Sequence, residues 1–285
     1  MSTQLPTLLN GLVDDAAVFP PGSSPLPEAV VAHRAHRASW YADLVGPLLV
    51  PASRLGELAD RLAAEERIAV GVIGDVPLAR LDGVLADADG RITVRQVEAA
   101  VAKRGEDPLP GLAELVALAG SADRFTVYAE LPLTFGLAGA LDVLAEARAG
   151  GVPVAAKFRT GGLAAELFPT PAELAAVICA CRDREVPFKL TAGLHQAVRH
   201  LDPETGFTHH GFVNVLAATF AAAEGADPSR VTELLTATDP RPLLQQLPER
   251  AEGARPLWVG FGSCSILEPL TDLIRLGLVN GGFDA

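Results

Sequence analysis

What this chain lacks excludes several classes of function. Its 285 residues carry a formal net charge of −12, which argues against nucleic acid and anionic membranes as partners, since both attract basic patches. No run of about 18 apolar residues indicates a membrane-spanning helix, and no basic and then apolar leader precedes Asp14. The sequence therefore predicts a soluble, cytoplasmic protein with neither a nucleic-acid nor a membrane partner.

Cysteine is also scarce. The three cysteines provide no disulfide framework, and the C-x-C pair of Cys179 and Cys181 has no second pair with which to bind zinc. Four histidines lie late in the chain without the spacing of a chelating pair: His195, His200, His209 and His210. A metal site that combines them with Asp14 or Asp15 is an alternative, but the sequence favours neither a metal nor an organic cofactor.

Lysine is scarcer than any other charged residue type. Of the 23 basic residues only Lys103, Lys157 and Lys189 are lysines, and the other 20 are arginines. Lysine is normally among the commonest residues of soluble domains, yet two of these three stand in apolar, strand-like segments, "VPVAAKFRTGG" and "VPFKLTAGLH". Arginine is the better structural partner for a carboxylate, so the use of lysine at these two positions predicts a chemical role for the amines. Structural ion pairing is the alternative.

Short apolar segments alternate with longer helical ones along the chain. Eight segments are typical of strands: Val13–Phe19, Pro47–Pro51, Ile68–Gly74, Ile92–Val97, Phe125–Leu131, Pro153–Thr160, Pro187–Thr191 and Leu257–Gly262. Such alternation indicates parallel βαβ units, and eight of them predict a closed (β/α)8 TIM barrel, one domain over residues 1–285. An open doubly wound sheet would normally carry a glycine-rich fingerprint after its first strand, and "DDAAVFPPG" has none.

The longest connection joins the seventh and eighth strands, from His195 to about Leu247. Its apolar run exceeds strand length, so we expect Phe212–Phe220 to form a helical insertion in the barrel. Long insertions on the catalytic face of a barrel usually shape the active site. Elsewhere, Thr170 in "FPTPAEL" is expected to cap a helix, and "HRAHR" (33–37) to be a solvated helix face.

Alternation along the strands predicts which side chains enter the barrel. If Lys157 points inward, its apolar neighbours on the strand face the surrounding helices. The same rule applied to the other strands brings six side chains together near the carboxyl ends, where barrel enzymes hold their catalytic groups. They are Lys157, Arg159, Lys189, Thr191, Glu98 and Glu130.

Two inward lysines indicate covalent chemistry. A buried amine beside a second cation loses its proton more easily, so the pKa of Lys157 is expected to fall below its usual value of about 10.4. A neutral lysine can attack a carbonyl carbon and form a Schiff base, and a carboxylate such as Glu98 can move the protons. This chemistry requires neither a metal nor a cofactor.

Two motifs connect these residues with a known family. "KFRTGG", "FPTPAELAAVICACRD" and "FKLTAGLHQAVR" resemble the K-x-x-T-G, helix, K-x-[ST]-x-G succession of the deoxyribose-phosphate aldolase group of class I aldolases. "LLNGLVDDAAVFPP" and "WVGFGSCSILEPLTDLIRLG" are similar to that family's first and last strands. The resemblance implies that Lys157 forms the Schiff base and that Lys189 tunes it. The positions that match the two motifs are Lys157, Thr160 and Gly161, then Lys189, Thr191 and Gly193.

The sequence departs from the family where phosphate would bind. The family has a Gly-Gly pair after the second lysine and a Ser-Ser pair after the last strand, whereas this chain has Ala192–Gly193 and Cys264–Ser265. A further family lysine, on the strand "FTVYAEL", is replaced by Thr126 or a neighbour. These departures predict weak phosphate binding and a preference for a neutral or carboxylate-bearing substrate. The residues predicted to bind it are Arg159, Thr160, Gly161, Thr191, Gly193, His195, Gly262, Ser265 and Asp15.

The sequence thus favours a metal-independent class I lyase that makes or breaks a carbon–carbon bond next to the carbonyl group of a small metabolite. Its predicted catalytic residues are Lys157, Lys189, Glu98 and Glu130. Two alternatives stay open: a lysine-dependent isomerase or lyase without aldol chemistry, and a catalytically silent barrel that binds a small anionic metabolite. A homo-oligomer is compatible with the sequence, which does not specify the oligomeric state.

Overall fold

The computed structural model describes residues 5–121, 124–245, 247 and 252–281. The strands, in chain order, are β1 (Val13–Asp15), β2 (Val45–Pro51), β3 (Ile68–Ile73), β4 (Ile92–Ala100), β5 (Thr126–Glu130), β6 (Val154–Arg159), β7 (Phe188–Thr191), β8 (His200–Leu201), β9 (Thr208–His209) and β10 (Trp258–Ser263). Strands β1 to β7 and β10 close into a parallel barrel in which β10 pairs with both β7 and β1. The predicted (β/α)8 barrel is confirmed; residues 1–4 and 282–285 of the predicted domain lie outside the described part of the chain.

Helices surround the barrel and fill the insertion. They are α1 (Leu26–Arg37), α2 (Leu55–Ala59), α3 (Leu78–Ala86), α4 (Leu109–Gly120), α5 (Leu137–Ala149), α6 (Pro171–Asp183), α7 (Phe212–Ala223), α8 (Pro228–Thr236), α9 (Arg241–Leu244) and α10 (Leu267–Arg275). None of the helices in these described ranges is long and apolar enough to cross a membrane.

The outward faces of the strands are apolar, which is why the helices pack on them. On β6, Val154, Ala156 and Phe158 are at most 1% exposed. The ring of Phe158 lies 6.2 Å from that of Phe188 on β7. Burial of one such large apolar side chain contributes about 1.5–3 kcal/mol. Because side chains alternate along a strand, this packing also directs the intervening residues, among them Lys157, into the barrel.

The insertion between β7 and β10 contains the predicted helix. Helix α7 spans Phe212–Ala223, so the prediction of a helix over Phe212–Phe220 is confirmed, and all of its residues except the last are buried. Its polar residue Asn214 is fully buried and hydrogen-bonded: Nδ2 donates to the carbonyls of Leu234 and Ala237, and Oδ1 accepts from the backbone N–H of Arg199. These bonds join α7 to the segments of the insertion that precede and follow it in the chain.

Two local predictions need correction, and one short hairpin was not predicted. Strand β1 ends at Asp15 rather than Phe19, because the chain turns there with the N–H of Phe19 on the carbonyl of Ala16. The hairpin β8–β9 was not predicted, since strands of two residues are too short to show alternation. The helix face at 33–37 is not solvated throughout: His33 is 5% exposed and its Nδ1 lies 3.0 Å from Asp15 Oδ2.

The predicted cap of α6 is present. The Oγ1 atom of Thr170 accepts a hydrogen bond from the N–H of Glu173 at 3.2 Å, and the Glu173 carboxylate accepts one from the N–H of Thr170 at 2.7 Å. This capping box satisfies two backbone donors. It fixes where α6 begins and so where the preceding loop, which borders the barrel mouth, must end.

Candidate active site

The two strand lysines lie side by side inside the barrel. Lys157 on β6 is in register with Lys189 on β7, and each stands two residues before the carboxyl end of its strand. Their side chains point inward and are almost completely buried, with exposed fractions of 4% and 2% for the two residues. A buried ammonium is costly without a partner, so the carboxylates around them decide what this pair can do.

Glu98 bridges the two lysines. It points inward from β4; its Oε2 lies 2.8 Å from Nζ of Lys157, and its Oε1 accepts a hydrogen bond from Nζ of Lys189. Each lysine has a second carboxylate as well. Glu130 on β5 is 2.8 Å from Lys157, and Asp14 on β1 pairs with Lys189. Carboxylates and amines thus alternate across the interior of the barrel.

Arg159 extends this row to the surface. Its guanidinium donates to Oε1 of Glu130 at 3.1 Å, and its side chain is 43% exposed, whereas that of Glu130 is 18% exposed. The row Asp14, Lys189, Glu98, Lys157, Glu130, Arg159 therefore holds three carboxylates and three cations. We call these six residues the charged row.

Three neighbours hold the inner part of the charged row in place. Gln96 on β4 donates from Nε2 to both Asp14 and Glu98, the latter at 2.8 Å. The ring centroid of Tyr128 lies 5.3 Å from Nζ of Lys189, a cation–π distance. Gly46 on β2 leaves the room that Asp14 occupies, because a Cβ there would lie 1.9 Å from Oδ1 of Asp14.

The charged row sets the pKa values of its members. Burial opposes the charge on Lys157 and Lys189, but their carboxylates outweigh burial and raise the pKa of both lysines. The expectation of a depressed pKa for Lys157 is therefore wrong, because two carboxylates at ion-pair distance outweigh the neighbouring cations. Burial also opposes the charge on Glu98, yet the two lysines lower its pKa to about 2.

Asp14 differs from the other carboxylates of the row. Its burial raises its pKa, and the attraction of Lys189 only partly offsets this effect. For Glu130 the balance is the reverse, since Lys157 and Arg159 overcome burial and lower its pKa. Among the acids of the charged row, Asp14 is thus the one that takes up a proton most easily.

The prediction placed Asp15 at the barrel mouth, and the structure places it elsewhere. Asp15 is 2% exposed and faces α1, where its Oδ2 meets Nδ1 of His33 and its Oδ1 accepts from the N–H of Ala17. Its neighbour Asp14 points into the barrel instead. Successive residues of a strand face opposite sides, so only one of the two aspartates can join the charged row.

The loops after β6 and β7 touch each other. Thr160 is fully buried and its Oγ1 donates to the carbonyl of Ala192 at 2.6 Å. A Cβ on Gly161 would lie 3.0 Å from Cα of Gly193, and Gly193 has a φ of +79° that favours glycine. These three predicted residues hold two loops together, and Thr160 uses its hydroxyl for that purpose.

Thr191 and Gly262 lie together at the top of the barrel. A Cβ on Gly262 would be 3.9 Å from Oγ1 of Thr191 and 3.2 Å from Cδ1 of Leu49. The last predicted residue of this strand's loop, Ser265, accepts with its Oγ from the N–H of Glu268 at 3.2 Å. Its hydroxyl therefore lies at the start of α10.

The histidines lie outside the charged row. Nδ1 of His195 is 2.9 Å from Glu268 Oε2 and 4.0 Å from Sγ of Cys264. His209 meets the carbonyl of Gly193 with Nδ1 at 3.1 Å and stacks on His200 across the β8–β9 hairpin, with ring centroids 5.3 Å apart. Within the described ranges, no three His, Cys, Asp or Glu side chains are grouped so that they could hold a metal ion.

A cavity of about 160 Å³ opens beside the outer end of the charged row. It lies between the loops that follow β4, β5 and β6, and Glu130 and Arg159 form part of its wall. The prediction from the sequence did not include its other polar residues, Arg104, Glu166 and Glu173. Arg104 and Glu166 lie in connections that show no alternation to indicate where a side chain points, and Glu173 lies in the first turn of α6, where the capping box accounts for it.

No protein-family model matches the chain, and none of the curated proteins does. The charged row and the cavity beside it are therefore the features from which a function is inferred.

Proposed function

We propose that this protein is a class I lyase in which Lys157 forms a Schiff base with a small carbonyl compound. The observation that carries the proposal is the buried pair of lysines bridged by Glu98 at the carboxyl-terminal half of the barrel strands. Barrel enzymes hold their catalytic groups at that end. The motif resemblance to deoxyribose-phosphate aldolases supports the same assignment.

Accessibility favours Lys157 over Lys189 as the nucleophile. The partner of Lys157, Glu130, has a side chain that is 18% exposed and borders the cavity. The carboxylates that hold Lys189, Asp14 and Glu98, are 7% and 1% exposed. A carbonyl compound that enters from the mouth therefore reaches Lys157 first.

The proposed reaction begins when the Lys157 ammonium loses its proton. The neutral Nζ attacks the carbonyl carbon; the oxygen takes up a proton and the nitrogen gives one up, which leaves a neutral carbinolamine. Its hydroxyl takes up a second proton and leaves as water, which gives a protonated imine. Removal of the proton from the β-hydroxyl breaks the α–β carbon bond. The electron pair of that bond moves into the imine to form an enamine, and the β-carbon leaves as an aldehyde. Protonation of the α-carbon and hydrolysis of the imine restore the lysine.

The charged row supplies the groups for these proton transfers. Glu98 contacts both amines, so a proton can pass between Lys157 and Lys189 through one carboxylate. Asp14, with its raised pKa, can accept a proton from Lys189. Because the pKa of Lys157 is raised in the free protein, we expect Schiff-base formation to become faster as the pH rises and the ammonium loses its proton.

Borohydride reduction in the presence of small aldehydes and ketones tests this proposal. We expect a covalent adduct, which peptide mapping places on Lys157. Lys157→Arg should fold and form no adduct, because a guanidinium keeps the charge but stays protonated. Lys103→Arg, at an exposed loop position, is the matched control and should form the adduct normally. An adduct on Lys189 would reverse the roles of the two lysines.

The balance of charge favours one alternative, a barrel that binds a small metabolite without catalysis. Three carboxylates face three cations in the charged row, an arrangement that ion pairing alone can explain. Reversible binding of a carbonyl compound, with no reducible adduct across the panel at any pH at which the protein is folded, would support this alternative and refute the lyase.

A further inference from the structure

The side chains that line the cavity beside the charged row differ in kind from those that surround the two buried lysines. Its wall mixes charged and apolar side chains from the ends of β4, β5 and β6, from the connections that follow them and from the start of α6. The residues that line it are Ala100, Ala102, Arg104, Glu130, Leu131, Pro132, Leu133, Arg159, Glu166, Leu167, Pro169 and Glu173. Glu130 belongs both to this wall and to the ion pair with Lys157, so a substrate bound to Lys157 can extend into the cavity past Glu130.

The charges of the wall do not favour an anion. Two guanidiniums, of Arg104 and Arg159, face three carboxylates, of Glu130, Glu166 and Glu173. Arg159 is already paired with Glu130, and Arg104 donates to the carbonyl of Glu166 at 3.3 Å. A phosphate or carboxylate in the cavity would therefore meet the carboxylate of Glu130 beside Arg159 and a wall that has more carboxylates than guanidinium groups.

A hydroxyl group fits this wall better than an ion does. It can accept from a guanidinium N–H and donate to a carboxylate oxygen at the same time. Within the part of the chain that the structure describes, Arg104 uses one of its N–H donors, and Oε2 of Glu173 accepts from Thr170 while its Oε1 has no hydrogen-bond partner. The leucine and proline side chains of the wall can pack against the C–H groups of a carbon chain.

From this arrangement we infer that the cavity binds an uncharged, hydroxylated carbon chain, as in an unphosphorylated sugar. The inference rests on the proposed function in so far as it assigns the carbonyl end of the same molecule to Lys157. It narrows the expected substrate from a neutral or carboxylate-bearing compound to a neutral polyhydroxylated one.

Erythritol, a four-carbon polyol without a carbonyl group, tests the subsite without Schiff-base chemistry. Saturation-transfer NMR should detect its binding to the 285-residue chain. Arg104→Met should weaken that binding roughly ten-fold, as expected for the loss of a hydrogen bond from a charged donor. Arg80→Met, at an exposed position on α3, is the matched control and should bind like the unaltered protein. No binding of erythritol, or binding that Arg104→Met leaves unchanged, would overturn the proposed subsite.

Borohydride trapping then separates the two proposals. D-erythrose should be trapped at lower concentration than acetaldehyde or D-erythrose 4-phosphate, and Arg104→Met should reduce its advantage over acetaldehyde. If erythritol binds as described but no aldehyde is trapped, the subsite stands and the lyase falls. If acetaldehyde is trapped on Lys157 but the phosphorylated sugar is preferred to the neutral one, the lyase stands and the subsite is refuted.

Discussion

Glu98 is the residue on which the charged row depends, and Glu98→Gln tests that role. The substitution keeps the size of the side chain but removes the negative charge that Lys157 and Lys189 share. Removal of one partner from a buried ion pair typically costs about 3–5 kcal/mol, because the remaining charge stays buried without compensation. We expect a loss of that size in the free energy of unfolding at pH 7.

The pKa of Glu98 gives an independent magnitude. It is lowered from 4.5 to about 2 in the folded protein, and a shift of that size corresponds to roughly 3 kcal/mol. Because the folded-state pKa is the lower one, this stabilisation is present above pH 4.5 and is lost as the pH falls towards 2. Glu98→Gln should remove this part of the pH dependence, so the unaltered and substituted proteins should converge in stability in acid.

Urea unfolding at a series of pH values, followed by the fluorescence of the fully buried Trp258, measures both effects. Glu114→Gln, at an exposed position on α4, is the control for loss of a carboxylate at the surface and should change stability by less than about 1 kcal/mol. A loss of less than about 1 kcal/mol for Glu98→Gln, or a difference that stays constant between neutral and acid pH, would refute the account of Glu98 as the shared counter-charge.

Two further substitutions follow from the geometry. Lys189→Met lets the carboxylate of Glu98 pair with Lys157 alone, so Lys157 should hold its proton more tightly. Adduct formation, measured by borohydride trapping at each pH, should be lost near neutrality and persist at high pH. An unchanged pH profile would contradict this coupling between the two lysines. Gly46→Ala introduces a Cβ 1.9 Å from Oδ1 of Asp14 and should cost about 1–3 kcal/mol in urea unfolding, whereas Gly56→Ala, with no atom within 4 Å of its Cβ, is the control and should cost nothing measurable.

The periodicity of the strands was sufficient to predict the barrel and the inward lysines. A strand such as β6 is long enough for its apolar side to be recognised, and Val154, Ala156 and Phe158 then leave Lys157 on the other face. Alternation does not settle the side-chain directions in β1. That strand is three residues long and all three are buried, so its sequence does not distinguish the inward Asp14 from the outward Asp15.

The pKa directions could not be predicted from the sequence because they depend on distances between residues far apart in the chain. Glu98 and Glu130 stand at 2.8 Å from Lys157, and at ion-pair distance in a buried site they outweigh the burial and like charge that would lower its pKa. The burial of His33 could not be predicted for the same reason. Nothing in "HRAHR" shows which histidine is buried, because that depends on Asp15 across the interface between β1 and α1.

The charged row is a poor means of stabilising a barrel, and this supports a chemical role. Buried ion pairs repay their desolvation only with good geometry, and apolar side chains of similar volume are often as stabilising or more so. The interior of a (β/α)8 barrel is usually filled with layers of bulky branched residues. In this barrel the interior contains two of the chain's three lysines, although arginine would serve a structural ion pair better. An amine can lose its proton and attack a carbonyl carbon, whereas a guanidinium cannot, so the use of lysine at Lys157 and Lys189 supports the proposed lyase over a purely structural set of ion pairs.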